Sequence, residues 1–331
     1  MPAEWALTEL ASGAQQIWKA QKRIQGLVDK TPLIYSDKLS KKFEAGIYLK
    51  YEFLHPTGSF KLRGAASKIL SLEPEERQRG VATFSTGNHG LAVAYTAHRL
   101  GIPASIFISE RVPETKVNNL KKLGVKLFVH GRSQDEAEDY CYDKSRKENW
   151  TVIKPFDDPL IIAGQGTIGL EILSQLPELN TVIVPLSGGG LISGIALALK
   201  CNLPDVRVIG VSMMESAVMY QSLQAGHPVK LEEHNTLADS LLGGIGLDNQ
   251  YTFPLVEQFV DHVILVSEEE IARGMAYLYS EHRIAVEGAA ATTVACLRKS
   301  EIVKPADNVA LILSGNNVDT SSFHEVVSAY L

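Results

Sequence analysis

Apolar and polar positions follow two rhythms along this chain. Residues 7–28 carry apolar positions at helical spacing and predict a polar-rich amphipathic helix. Thr31-Pro32 closes it, because the residue before a proline is biased out of the helical region. Residues 47–52 alternate as a strand does, and the stretch after Ser59 predicts a helix with Lys61 near its start. A regular succession follows, with strands at 81–84, 104–108, 125–129 and 151–154 and helices at 89–100, 114–123 and 134–148. A second succession has strands at 181–185, 207–211, 262–266 and 308–313, with helices near 190–200, 215–225, 268–281 and 287–299. Such alternation predicts an α/β fold of two open parallel lobes with a cleft between them. We expect residues 1–75 and 158–331 to form the larger lobe and 76–157 a smaller, inserted one. The glycine-rich run 241–247 reads as a loop.

Composition narrows the function. A net charge of −6 and the lack of any long Lys/Arg run argue against nucleic acid. The three cysteines have neither metal nor disulfide spacing, which points to a reducing compartment. The N-terminus lacks a signal pattern, and the longest apolar stretch, 191–199, is too short to span a bilayer. A cytoplasmic protein without a membrane partner is expected.

Four short segments carry chemistry, and each follows a strand-like run, where an open α/β sheet places ligands. The first, His55-Pro-Thr-Gly-Ser-Phe-Lys-Leu-Arg-Gly64, holds Lys61. Apolar Phe60 and Leu62 would desolvate that amine, Arg63 would add a like-charge push, and a neutral lysine can form a Schiff base. The bland alternative is a helix capped by Ser59 with Lys61 outside. The second, Ser85-Thr-Gly-Asn-His89, offers donors for a carboxylate at a helix start, or else simple helix caps. In the third, Ser187-Gly-Gly-Gly-Leu191, backbone N–H groups can approach a phosphate unobstructed, and no nucleotide-type Lys follows. The fourth places Ser314 after a buried strand, where a hydroxyl can meet a neutral pyridine nitrogen. Amine, carboxylate site, phosphate cup and ring hydroxyl together fit pyridoxal phosphate and an amino acid. Gly164-Gln-Gly-Thr-Ile-Gly169 matches the dinucleotide pattern G-x-G-x-x-G and keeps a nicotinamide oxidoreductase open as a second hypothesis, although residues 157–160 do not read as a strand and a helix is expected from Thr167. A non-catalytic amino-acid binding protein is a third.

As a set, P-T-G-S-F-K-L-R-G, S-T-G-N-H, S-G-G-G-L and S-G-N resemble fold-type II (tryptophan synthase β-like) pyridoxal phosphate enzymes of the threonine dehydratase and serine racemase group, from about Ile24 to Asn317. Residues 161–171 and 237–249 look most like the hydroxyectoine-utilisation dehydratase subgroup.

The resemblance implies that Lys61 holds the cofactor as a Schiff base and later takes the α-proton. Asn88 would bond the ring hydroxyl, with Phe60 packed beside the ring and Glu287 nearby. Ser85, Gly87, Asn88 and His89 would hold the substrate carboxylate. Gly188, Gly189, Gly190 and Leu191 would cup the phosphate, and Ser314 would face the ring nitrogen. The implied reaction is loss of the β-hydroxyl from a small amino acid such as L-threonine or L-serine, giving a 2-oxo acid and ammonia. A homodimer is also implied.

There are departures from the family pattern. Thr86 stands where serine racemases carry a catalytic serine, which puts racemisation in doubt and leaves a racemase as the alternative within the family. Ser212 and Val218 stand where many relatives bind a divalent cation, so no metal is expected. Ser240 replaces the glycine of the usual A-D-G, and with the sequence ending at residue 331 the regulatory domain of biosynthetic threonine dehydratases is not expected.

Overall fold

The computed structural model describes residues 3–85, 87–110, 114–132, 134–299 and 302–331. Its strands are β1 (Leu33–Tyr35), β2 (Gly46–Tyr51), β3 (Val81–Thr83), β4 (Ala104–Ile108), β5 (Lys126–Val129), β6 (Thr151–Val152), β7 (Thr181–Pro185), β8 (Arg207–Met213), β9 (His262–Val266) and β10 (Asn308–Leu313). They form two sheets. One is six-stranded, in the order β1-β2-β10-β7-β8-β9, and the other four-stranded, in the order β5-β4-β3-β6. All pairings are parallel except that of β1 with β2. Strands β3, β4 and β7 are buried along their whole length, as expected where helices cover both faces of a parallel sheet. Inner strand β10 places its carboxyl end between β2 and β7, so the loops after these strands meet at one edge.

Two expectations are corrected. The first helix is Ala3–Ile24 and stops well before Thr31-Pro32; Gly26, at φ 87°, follows it in a conformation that a side chain would strain. The helix expected from Thr167 begins at Pro159 and runs to Gln175, with the Asp158 carboxylate accepting from Leu160 and Ile161 N–H. Gly164, Gly166 and Gly169 therefore sit inside a helix, not in a strand-to-helix turn. A Cβ on Gly166 would lie 2.8 Å from the Gly194 carbonyl oxygen, and one on Gly169 would lie 2.6 Å from Ala198 Cβ. Gly166 and Gly169 thus form a seam against the Gly190–Lys200 helix, while a Cβ on Gly164 would lie 2.5 Å from the Arg63 carbonyl oxygen; the glycines serve helix packing, which removes the basis of the nicotinamide reading.

Candidate active site

The loops after β2, β3, β7 and β10 border a cleft of about 1150 Å³ between the two sheets. Lys61 opens the helix Lys61–Ile69. Its Nζ donates to the Pro155 carbonyl at 2.8 Å and lies 5.3 Å from the centre of the Phe60 ring. Burial lowers the Lys61 pKa to about 8, opposed in part by the Glu287 carboxylate. Ser59 does not cap this helix; its buried hydroxyl has no hydrogen-bond partner among the described residues, and its backbone bridges to Gly315.

Arg63 does not act on Lys61 as expected. Two residues along a helix turn a side chain through roughly 200°. The Arg63 guanidinium instead donates to Glu52 and Glu171, at 2.7 Å each, where Lys50 also reaches Glu171 at 2.6 Å. Its charge is spent in that buried cluster. The low Lys61 pKa comes from burial.

Ser85, Gly87, Asn88 and His89 border the same cleft, while Thr86 lies outside the described residues. The helix Asn88–Leu100 begins here, and the N–H groups of a first turn have no partner within their own helix. Gly90 is essential to this loop, since a Cβ there would fall 1.8 Å from the Ser85 carbonyl oxygen. His89 Nε2 lies 2.9 Å from the Ile153 carbonyl oxygen, an acceptor, so that nitrogen carries the proton. Burial, with the Lys61 charge, lowers His89 to about 3 and keeps it neutral. With Nε2–H committed to Ile153, the donor His89 can still offer an anion is its backbone N–H.

Gly188, Gly189, Gly190 and Leu191 form another wall, at the start of the helix Gly190–Lys200. Gly189 has φ 86°, and a Cβ on Gly188 would meet the Phe156 ring at 2.4 Å. Ser314, at the end of β10, also borders the cleft and accepts at its carbonyl from Phe60 N–H at 3.0 Å. Glu287, just before the helix Gly288–Ala295, receives hydrogen bonds from Asn88 and Ser240. An amine able to lose its proton, a glycine-lined helix start and a hydroxyl thus share one cleft, and these groups fit pyridoxal phosphate.

The family model described as pyridoxal-phosphate dependent enzyme matches residues 24–315. The chain belongs to this family. Its architecture is that of the fold-type II pyridoxal phosphate enzymes. A putative threonine dehydratase of Sinorhizobium fredii (strain NBRC 101917 / NGR234) is 44% identical over 95% of this chain and 95% of its own length. An L-threonine ammonia-lyase of Thermotoga maritima is 40% identical over 95% of this chain and 78% of its own. Among solved structures, the processed form of threonine deaminase isoform 2 from Solanum lycopersicum superposes with a TM-score of 0.91 at 34% identity, covering 98% of this chain and 94% of that one. Maize serine racemase gives a TM-score of 0.89 at 34% identity, covering 96% and 97%.

Pro155, whose carbonyl receives Lys61, and Asn317, which reaches Asn88, were not foreseen as site residues; as a backbone acceptor and a second asparagine beside S-G-N they leave only a faint sequence signal. Ser212 directs its hydroxyl at Met213 Sδ and Val218 is buried. Among the described residues, no group of three or more His, Cys, Asp and Glu is placed to hold a metal. No helix among them is long and apolar enough to cross a membrane.

Proposed function

We propose that this protein removes the β-hydroxyl of a small amino acid such as L-threonine or L-serine, with pyridoxal phosphate, to give a 2-oxo acid and ammonia. The observation that carries the reading is the Lys61 amine, held to about 8 at the floor of a cleft lined by the glycine loop. At pH 7 roughly a tenth of such amines are neutral, against well under a thousandth for an exposed lysine. When bound, the cofactor supplies an aldehyde for that amine and an electron sink for the α-carbon. Lys61 would take the α-proton at Nζ, with the Pro155 carbonyl orienting it. The first-turn N–H groups at Asn88 and His89, with Ser85 and Gly87, would hold the carboxylate. The glycine loop would hold the phosphate, and the Ser314 hydroxyl would leave the ring nitrogen unprotonated. Names of the relatives, which include threonine dehydratases and ammonia-lyases, support the reaction class.

The described cleft walls carry more carboxylates than cations, among them Glu138, Asp139, Asp239 and Asp248 beside Lys154 and Lys230. That balance favours a neutral side chain over a dicarboxylic one such as 3-hydroxyaspartate. The two sheets are proposed to act as two lobes, in a cytoplasmic homodimer. The test supplies pyridoxal phosphate, reduces with borohydride, maps the modified lysine, and assays 2-oxo acid from L-threonine and L-serine. Label at a lysine other than Lys61, or no 2-oxo acid from either, would overturn the proposal.

A further inference from the structure

The side-chain amide of Asn88 is held from both ends. Its Oδ1 accepts from Asn317 Nδ2 at 2.6 Å, and its Nδ2 lies 3.1 Å from each Glu287 carboxylate oxygen. Asn317 Nδ2 also donates to the Thr57 carbonyl at 2.8 Å, and Ser240 Oγ donates to Glu287 Oε1 at 3.1 Å. The chain therefore runs from a backbone carbonyl to a carboxylate, and both ends accept. Acceptors at both ends decide which way the amides between them face: Asn317 turns its nitrogen to Thr57, and Asn88 turns its nitrogen to Glu287.

The backbone leaves room for this arrangement. A Cβ on Gly315 would lie 2.7 Å from Glu287 Oε1, and one on Gly58 would lie 2.5 Å from Asn317 Oδ1. A Cβ on Gly288 would lie 2.1 Å from the Leu237 carbonyl oxygen, so the segment leading to Ser240 packs directly on the helix start at Glu287. Asn88 follows a strand of the four-stranded sheet, whereas Asn317 follows one of the six-stranded sheet. Asn88 and Glu287 are buried, and Ser240 and Asn317 reach the open cleft.

We propose that Ser240 and Asn317 are positioning residues that lock the Asn88 amide with its nitrogen on the Glu287 side, so that Asn88 meets a bound cofactor only as a donor. This rests on the pyridoxal phosphate reading and deepens it. A donor at that point favours the ionised form of the cofactor's ring oxygen over the protonated one. Ser240 matters through the hydrogen bond it gives Glu287, and Asn317 through the oxygen of Asn88 that it occupies.

Full-length Ser240→Ala, Ser240→Thr and Asn317→Asp proteins test this through cofactor affinity, the pH dependence of the bound cofactor's visible absorbance, and thermal melting as a control of fold. Ser240→Ala is expected to weaken cofactor uptake about fivefold and to shift absorbance toward the shorter-wavelength band of the protonated ring oxygen. Ser240→Thr keeps the hydroxyl and should behave as the parent. Asn317→Asp faces the Asn88 oxygen with a second acceptor and should weaken uptake about tenfold or more. Parent-like affinity and spectrum in both Ser240→Ala and Asn317→Asp would overturn the relay, as would equal losses in Ser240→Ala and Ser240→Thr. If the parent itself takes up no cofactor at Lys61, the underlying reading fails and the relay with it.

Discussion

Lys61 and Arg63 stand two residues apart on one helix yet serve opposite environments. The Lys61 amine faces the cleft and donates to Pro155, while the Arg63 guanidinium is buried behind it against Glu52 and Glu171. Arg63, Glu52, Glu171 and Lys50 tie this helix to β2 and to the helix Pro159–Gln175, so the lysine is presented from a fixed base. Reactivity and anchorage are thus divided between neighbours in sequence.

Glu171→Gln tests the anchorage. Glu171 binds both Arg63 and Lys50, and neutralising it leaves buried positive charge without its partner. Breaking such a pair costs about 3–5 kcal/mol, and the retained amide should hold the loss to about 3 kcal/mol. Urea unfolding of the cofactor-free protein measures it. A loss under about 1 kcal/mol would mean that Glu52 alone neutralises the cluster.

Gly90→Ala tests the carboxylate loop. A Cβ 1.8 Å from the Ser85 carbonyl oxygen cannot be accommodated unless the loop moves. We expect at least about a tenfold loss of kcat/KM for the amino acid, chiefly through KM, measured at saturating cofactor because Asn88 moves with the same loop. Parent-like kinetics would show that Ser85 and its neighbours do not hold the substrate.

Much of this architecture was legible, and the failures have physical causes. Strands β4, β7, β9 and β10 were read to the residue because each is an apolar run with sharp polar or turn boundaries. The edge strand β1 and the helices Asp37–Phe43, Thr252–Phe259 and Thr320–Ser328 were missed, being short and only partly apolar; for two of them the caps Ser36 and Asp319 were the available signal. Asp158-Pro159 likewise marks a helix start by cap and first-position proline, a local signal that competes with the dinucleotide-like glycine pattern downstream. The four loops were legible because glycine and small polar residues follow each buried strand. Arg63 was misread because adjacency in sequence is not adjacency on a helix surface. Glu287 is legible through the family resemblance as a residue near the cofactor, whereas its hydrogen bond to Asn88 and that of Asn317 arise only through the tertiary fold.

Ser314→Asp tests the ring-nitrogen position. Ser314 is almost fully buried at the end of β10, so a carboxylate there would hold the cofactor nitrogen protonated. Elimination should slow by about tenfold, with more amino transfer as a side reaction. An unchanged product ratio and absorbance spectrum would place the ring elsewhere.

Chelation should leave turnover almost intact. Ser212 offers its hydroxyl to a methionine sulfur and Val218 offers no oxygen, whereas calcium and magnesium require several hard oxygen ligands. Activity before and after dialysis against EDTA decides the point. A large loss restored by magnesium would locate a cation site among other residues.

Lys61→Met should stabilise the cofactor-free protein, with a pH dependence whose sign is fixed. In the folded chain burial lowers the amine to about 8, against 10.5 for an ordinary lysine. Below pH 8 both states carry the proton, and the folded state bears the cost of a charge taken out of water. Between pH 8 and 10.5 the unfolded chain binds more protons, so stability rises with pH through that window; above it both forms are neutral. The gap between the two values corresponds to roughly 3 kcal/mol at 1.36 kcal/mol per tenfold. Residual exposure of the amine to cleft water reduces this to about 1–2 kcal/mol. Lys61→Met should therefore gain about that much at pH 7, and the gain should shrink steadily from pH 8 toward 10.5. Paired denaturant titrations of both proteins across that range measure it. A difference that stays flat with pH would show that the folded protein does not penalise the charged amine, and the low pKa on which the catalytic role of Lys61 rests would have to be abandoned.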